Sequence, residues 1–339
     1  MKAVALTRYL PISDPESLVD VELPKPVPGP RDLLVAIKAI AVNPVDTKVR
    51  APKNKVETTP RILGWDAAGV IEAVGTEVTL FVPGDEVYYA GDLTRPGSNA
   101  EFQCVDERIV ARKPTILNFA EAAALPLTAI TAWEALFNRL RIDPERWDAG
   151  RTLLIVGGAG GVGSIAIQLA KQVAGLRVVA TASRAVSSDW CLELGADAVI
   201  DHHGDLVAQL RDIGMDTVDY VLCCNNTDQH FPAMAAVIRP QGTICTIVEN
   251  AQPLPVELLK SKSAGLVWEF MFTRSMFGTP DLLEQHKLLN RVAELVDRGI
   301  LRTTLNAVLG KVYAVTLRRA HAQLEAGRTI GKLVLEGFE

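Results

Sequence analysis

Five cysteines (Cys104, Cys191, Cys223, Cys224, Cys245) are too few and too unevenly placed for a disulfide framework, and none pair at C-x-x-C spacing. Reduced thiols in a cytoplasmic protein are the expectation. Positive charge is also in short supply: 35 Lys and Arg face 40 Asp and Glu, for a net charge of −5. Nucleic acid and anionic membranes both require concentrated positive charge, so neither is an expected partner. No apolar run reaches the ~18–20 residues that a membrane span needs. The opening Met1-Lys2-Ala3-Val4-Ala5-Leu6 runs straight into a strand-like pattern, with no apolar core or cleavage site of a signal peptide. What is present is 339 residues, 48% hydrophobic and 22% charged, enough to bury two domain cores.

The first third reads as β-rich. Leu33 to Val42, Ala67 to Val74, Glu86 to Tyr89 and Ala100 to Val105 are short apolar runs, punctuated by Pro28-Gly29-Pro30 and Pro83-Gly84-Asp85. Strands this close together predict a curled sheet or partial barrel. Phe119 to Leu140 has helical periodicity interrupted at Pro126. From Arg151 onward short apolar strands alternate with helical segments, which predicts a parallel sheet covered on both faces. Asp281–Arg298 and Tyr313–Ala326 then read as helices, and Lys332-Leu333-Val334-Leu335 as a last strand. This tail is expected to return to the first domain. The resulting division is a discontinuous β-rich catalytic domain, 1–126 with 278–339, and a dinucleotide-binding domain, 127–277.

Leu153-Leu154-Ile155-Val156 leads into Gly157-Gly158-Ala159-Gly160-Gly161-Val162-Gly163, and a helix opens with Ser164-Ile165-Ala166. Strand, glycine loop and helix in this order form a dinucleotide site. Gly158 is expected to permit the tight turn, Gly160 the approach of a pyrophosphate, and Gly163 close helix packing, with Gly161 and Val162 at the helix start. An NAD site carries a carboxylate at the end of the second strand. Here that region reads Thr181-Ala182-Ser183-Arg184. A hydroxyl and a guanidinium suit a 2′-phosphate, so the expected cofactor is NADPH.

Leu63-Gly64-Trp65-Asp66-Ala67-Ala68-Gly69-Val70 and Val82-Pro83-Gly84-Asp85-Glu86-Val87 resemble the medium-chain dehydrogenase/reductase superfamily, along the whole chain. Val42-Asn43-Pro44-Val45-Asp46 and Leu125-Pro126-Leu127-Thr128-Ala129-Ile130-Thr131 resemble its quinone oxidoreductase branch. Trp268-Glu269-Phe270-Met271-Phe272 identifies the chain as a member of the bacterial zinc-type alcohol dehydrogenase-like group. The resemblance implies a GroES-like domain joined to a doubly wound Rossmann domain, in a homodimer or homotetramer. It also implies zinc ligands where Asn43, Trp65 and Leu127 stand, and none of these three is a thiolate, imidazole or carboxylate. No metal site is therefore expected.

Asn43 is the first candidate for catalysis, as a donor to a substrate oxygen or the nicotinamide ribose, or else a plain Asn-Pro turn residue. Asp46 anchors its loop, bonds a cofactor hydroxyl, or caps a short helix. Trp65 and Tyr89 are candidate walls of a substrate pocket or ordinary core. The resemblance places Thr128, Thr131, Ile247, Val248, Phe270, Phe272 and Lys332 toward the nicotinamide, and His202 toward the adenosine 2′-phosphate. The expected activity is NADPH-dependent reduction of a small quinone or α,β-unsaturated carbonyl, bound between the two domains, by hydride transfer without zinc. Two rivals stay open: a zinc-type alcohol or aldehyde dehydrogenase, and a nucleotide-binding redox sensor with little catalysis.

Overall fold

A computed structural model describes residues 1–145 and 147–338. Its first strands are Lys2–Tyr9 (β1), Val19–Glu22 (β2), Asp32–Ala41 (β3), Lys53–Ile62 (β4), Ala67–Val74 (β5), Glu86–Tyr89 (β6), Phe102–Asp106 (β7) and Val110–Arg112 (β8). A helix, Pro44–Arg50 (α1), follows β3, and Phe119–Ala123 (α2) and Pro126–Trp133 (α3) close this part. Pro126 separates the two helices instead of kinking one, as a residue with no N–H does best at a first turn. The sequence pattern does not announce β4, because most of its side chains are exposed and polar. It is an edge strand, held to β1 through Ala5↔Ile62 and, past a bulge, Tyr9↔Lys53.

The parallel part comprises Thr152–Val156 (β9), Gly161–Gln168 (α4), Arg177–Thr181 (β10), Ala185–Glu193 (α5), Ala198–Ile200 (β11), Leu206–Asp212 (α6), Val218–Cys223 (β12), Thr227–Val237 (α7), Ile238–Thr246 (β13) and Gly265–Trp268 (β14). The strand order β11-β10-β9-β12-β13-β14 is that of a doubly wound dinucleotide fold. Leu154, Val179, Val221 and Ile244 are buried in the sheet interior, with Leu210, Phe231 and Met234 packed on them from α6 and α7. Near-continuous apolar strands follow from burial on both faces.

The chain ends with Thr273–Phe277 (α8), Glu284–Asp297 (α9), Leu305–Val308 (β15), Ala314–Glu325 (α10) and Lys332–Glu336 (β16). By contacts, residues 1–130 and 272–339 form one compact unit and 131–271 a second. These limits differ by a few residues from those read off the sequence, because the first turn of α3 packs with the β-rich unit. Among the described residues no helix is long and apolar enough to cross a membrane.

The β-rich unit is tied together by β3, which has neighbours on both edges. One edge carries β5 along most of its length. The other is shared, with β7 pairing at its start and β16 at its end through Ala41↔Val334. Ten residues flanked in this way are buried almost throughout, so β3 reads as an apolar run.

Candidate active site

Strand register alone builds the polar centre of the first unit. Continuing the Ala41↔Val334 pairing by two residues sets Lys332 opposite Asn43. Continuing Ile40↔Ala67 by one residue sets Asp66 beside Ala41, whose N–H donates to the Asp66 carbonyl at 3.1 Å. Three strand ends therefore deliver a lysine, an asparagine and an aspartate to one buried point.

The Lys332 ammonium makes three hydrogen bonds, equal to its hydrogens. It donates to Asp66 Oδ2 at 2.7 Å, to the Val42 carbonyl at 3.1 Å, and to Asn43 Oδ1. Asn43 Nδ2 donates to Asp66 Oδ2 at 2.9 Å and, more distantly, to the Ala41 carbonyl at 3.4 Å. Asp66 Oδ1 accepts from the Leu127 N–H at 2.8 Å. Lys332, Asp66 and Asn43 are all buried. The sequence expectation that Asn43 donates to a substrate oxygen meets an amide already committed on both of its atoms. The Lys332 side chain, which the resemblance sends toward the nicotinamide, likewise spends its hydrogens inside its own unit.

Asp46 completes the centre. Asn43 is extended, as a residue before proline prefers, and it opens α1 with Pro44 in the first turn. Asp46 stands in that turn, and its Oδ2 accepts from the Asn43 N–H at 2.7 Å. It thus serves as the reciprocal half of a capping box while the Asn43 side chain turns inward. Its Oδ1 is buried without a hydrogen-bond partner among the described residues. Burial pushes the Asp46 carboxyl up to about 7, against the pull of the Asn43 N–H and of Lys332. Burial also raises Asp66, with the ammonium opposing. Two buried carboxylates share one buried ammonium, so Asp46 holds a proton through the acid range and gives it up at about pH 7.

The neighbouring aromatic residues are core. Trp65 is fully buried, donates Nε1–H to the Asp92 carbonyl at 3.0 Å, and meets Phe272 edge-on at 6.3 Å. Tyr89 is buried, with its hydroxyl lacking a partner. Thr128 is buried too, and its Oγ1 donates back to the Leu125 carbonyl at 3.1 Å.

The second unit holds the glycine loop. The positive φ of the turn falls on Gly157, at +85°, and not on Gly158, where the sequence pattern puts it. Gly158 has a different reason to be glycine: a Cβ there would lie 2.7 Å from the Ala180 side chain. Gly163 is fixed by packing, since a Cβ would meet the Gly157 carbonyl oxygen at 2.4 Å. At Gly160 a Cβ would meet nothing closer than 3.6 Å. The protein itself leaves room there, in keeping with a position kept bare for a ligand. The loop is moored to β10, where Thr181 accepts the Gly157 N–H on Oγ1 at 2.9 Å and the Gly158 N–H on its carbonyl at 3.0 Å. Gly161, Val162 and Gly163 form the first turn of α4.

Beyond Thr181, Ser183 is half-buried and Arg184 is exposed at the start of α5. At the end of β13, Ile247 and Val248 are half-buried, and Val248 accepts the Thr227 hydroxyl at 2.6 Å. Thr131 is buried in this unit and Phe270 is 43% exposed. Between Trp268 and Phe270, Glu269 turns inward and accepts from Arg139 Nε at 2.8 Å.

Two family models match the chain: an alcohol dehydrogenase GroES-like domain over residues 29–115, and a zinc-binding dehydrogenase over residues 194–335. A zinc-type alcohol dehydrogenase-like protein of Staphylococcus aureus (strain Mu50 / ATCC 700699) is 42% identical over 337 residues, 99% of each chain. This chain belongs to the medium-chain dehydrogenase/reductase superfamily, in its zinc-type alcohol dehydrogenase-like group. An NADPH-dependent alkenal/one oxidoreductase of Arabidopsis thaliana is 39% identical over 236 residues, covering 66% of this chain and 60% of that protein. Among solved structures, a Rhizobium etli CFN 42 protein assigned to the zinc-dependent alcohol dehydrogenases is 51% identical, with a TM-score of 0.96 over 100% of this chain and 98% of that one. The quinone oxidoreductase of Coxiella burnetii is 27% identical, with a TM-score of 0.80 over 99% of each. The chain is thus an oxidoreductase of a superfamily that works with nicotinamide cofactors.

The zinc in the group's name finds a poor donor set here. Asn43, Trp65 and Leu127 supply neither thiolate nor imidazole, and Asp66 has both oxygens engaged. Among the described residues no group of three or more His, Cys, Asp or Glu could hold a metal ion. A dication at this point would also face the fixed charge of Lys332, so these residues do not fit zinc.

Sequence reasoning singled out Asn43, Asp46 and Lys332 but gave Asp66 no role. The signal that joins them is the pairing of β16 with β3, which no local pattern contains.

Proposed function

We propose that this protein is an NADPH-dependent reductase of quinones or α,β-unsaturated carbonyls that works without catalytic zinc. The observation that carries this reading is the Lys332 ammonium, locked onto Asp66, Asn43 and the Val42 carbonyl at the place where zinc enzymes of the superfamily gather their ligands. The activities for which the Arabidopsis and Coxiella proteins are named agree with it.

Nicotinamide supplies the hydride when bound, and the protein binds, orients and balances charge. The N–H groups of the glycine loop and the start of α4 hold the pyrophosphate, and Ser183 and Arg184 hold the 2′-phosphate. Thr131, Ile247, Val248 and Phe270 belong to the nicotinamide end. Asn43 acts as a positioning residue that joins Lys332 to Asp66. Asp46 keeps a proton at Oδ1 near neutral pH and is the proton store for a reduction that consumes one. Lys332 stabilises the negative charge that remains on Asp46 when that proton leaves. The same reading expects a homodimer or homotetramer in the cytoplasm.

The test is turnover of NADPH with a panel of quinones and enones, before and after extended chelation, alongside metal analysis. Activity that survives chelation in protein with far less than one zinc per chain is the expected result. Stoichiometric zinc whose removal abolishes turnover would overturn the reading.

A further inference from the structure

Three imidazoles gather at the adenosine end of the parallel sheet. In the β10–β11 pairing Thr181 is opposite Ile200, and the Ala182 N–H donates to the Ile200 carbonyl at 3.0 Å. Continuing that register past the strand ends by two and three residues sets Ser183 opposite His202 and Arg184 opposite His203. The turn that carries the candidate 2′-phosphate ligands therefore shares a sheet end with His202. The His203 ring centroid lies 4.5 Å from that of His202, and the His230 ring, reaching in from α7, lies 6.2 Å away. His230 is buried, and Nδ1 of His202 is buried with no hydrogen-bond partner among the described residues.

The surrounding charges are few. Asp201 is the carboxylate that acts on His202, and its Oδ1 already accepts the His203 N–H at 2.9 Å. Asp205, at the start of α6, is committed to the N–H groups of Val207 and Ala208. Asp228, on α7, is committed to those of Ala251 and Gln252. Arg184 is the cation of the adjoining turn. Burial and mutual repulsion hold His202 and His230 below the ordinary imidazole range, so without a ligand these rings are neutral at pH 7. A dianionic phosphate would reverse that balance by favouring the protonated ring.

We propose that His202, backed by His203 and His230, reads the adenosine 2′-phosphate by taking up a proton from solvent as the phosphate is seated, so that pH sets this chain's preference for NADPH over NADH. This rests on the NADPH reading given above. The proton forms an N–H on the imidazole, no other bond is made or broken, and the new imidazolium donates to a phosphate oxygen. NADH has no phosphate there and gives the ring no reason to charge. The phosphate's own ionisation, near pH ~6, works in the opposite direction, so it cannot imitate the effect.

The experiment titrates NADPH and NADH by fluorescence at pH 6, 7 and 8 with the full chain. It is repeated for His202→Gln and for His286→Gln, a histidine on α9 in the other unit that bonds the Val110 carbonyl. Calorimetry in two buffers of different ionisation enthalpy counts the protons. One coupled proton allows up to ~tenfold per pH unit, so the NADPH/NADH affinity ratio should fall about tenfold or more from pH 6 to pH 8. His202→Gln should flatten that fall, His286→Gln should keep it, and NADPH binding should take up a proton at pH 7.5 while NADH binding does not. A preference for NADPH that stays constant over this range, with no proton uptake, would overturn the proposal and leave the NADPH reading standing. Equal affinity for the two cofactors at every pH would overturn both.

Discussion

Lys332, Asp66 and Asn43 meet one another's hydrogen-bonding needs deep in the β-rich unit, and Ser183, Arg184 and His203 stand open or half-open at the edge of the parallel sheet. The first group is joined through residues nearly 290 positions apart in the chain. The second comes from two consecutive strand ends, Thr181 and Ile200. A closed centre of this kind fixes geometry and charge, because removing any member leaves another buried and unpaired. An open one leaves exposed groups within reach of solvent or a ligand. On the function proposed above, the two units hold their charged groups for different purposes, one to set a local field and the other to receive an anion.

The sharpest way to break this contrast is Lys332→Met. The variant keeps the apolar stem and removes the ammonium, leaving Asp66 and Asp46 buried without a cation. Breaking a buried pair by removing one partner typically costs ~3–5 kcal/mol. We expect a loss of that order in urea unfolding at pH 8. The loss should shrink at pH 5, because both carboxyls can escape by taking up protons. A cost below ~1 kcal/mol at pH 8 would mean that the centre is solvated and not closed.

How much of this was legible in the sequence follows from the same contrast. The glycine loop and the β-α alternation are local patterns, and they located the second unit and the strand-loop-helix at its centre. Within the loop one assignment shifted: the turn conformation sits on Gly157, while Gly158 is pinned by Ala180. The first unit was legible as β-rich, but its centre was not. Asp66 was given no role because its partner arrives on β16, and Lys332 was placed by the resemblance alone, because its register with Asn43 depends on a pairing at the far end of the chain. His230 fell in an ordinary helical pattern and met His202 only through the packing of α7 beside the loop after β11. Long-range register and helix packing are what a periodicity argument omits.

A middle-sized effect should come from Asp46→Asn. The folded protein holds a proton on Asp46 that the unfolded chain releases from about pH 4 upward, and keeps it until about pH 7. Stability from this group is therefore full at low pH and lost as pH rises through that window. The amide of the variant cannot ionise, so the variant escapes the loss. His321, held neutral to about pH 3 by burial and by Arg50, slopes the other way and is common to both proteins. The stability of the variant relative to wild type should thus rise with pH by up to ~1.4 kcal/mol per unit between pH 4 and 7, and then level off. Denaturant curves at half-unit intervals would show it. A pH-independent difference would place the proton elsewhere in the centre.

The smallest effect, and the one that tests the open edge, is Arg184→Ala. Arg184 is exposed, so the proposed bond to the 2′-phosphate would form in the presence of water and salt. A charge-assisted hydrogen bond in that setting is worth about 1.4 kcal/mol, a tenfold step in affinity. Wild type should bind NADPH at least about tenfold tighter than NADH, and the variant should lose most of that margin with its NADH affinity little changed. Salt separates this edge from the closed centre. Over a Debye length of ~8 Å at 0.15 M, surface charges are screened and buried pairs are not. The NADPH margin of wild type should therefore narrow as salt is raised, while the cost of Lys332→Met stays nearly constant. Paired fluorescence titrations at low and high salt, set beside urea curves under the same conditions, would show the divergence. Equal wild-type affinities for NADPH and NADH at low salt would remove Arg184 from the cofactor site.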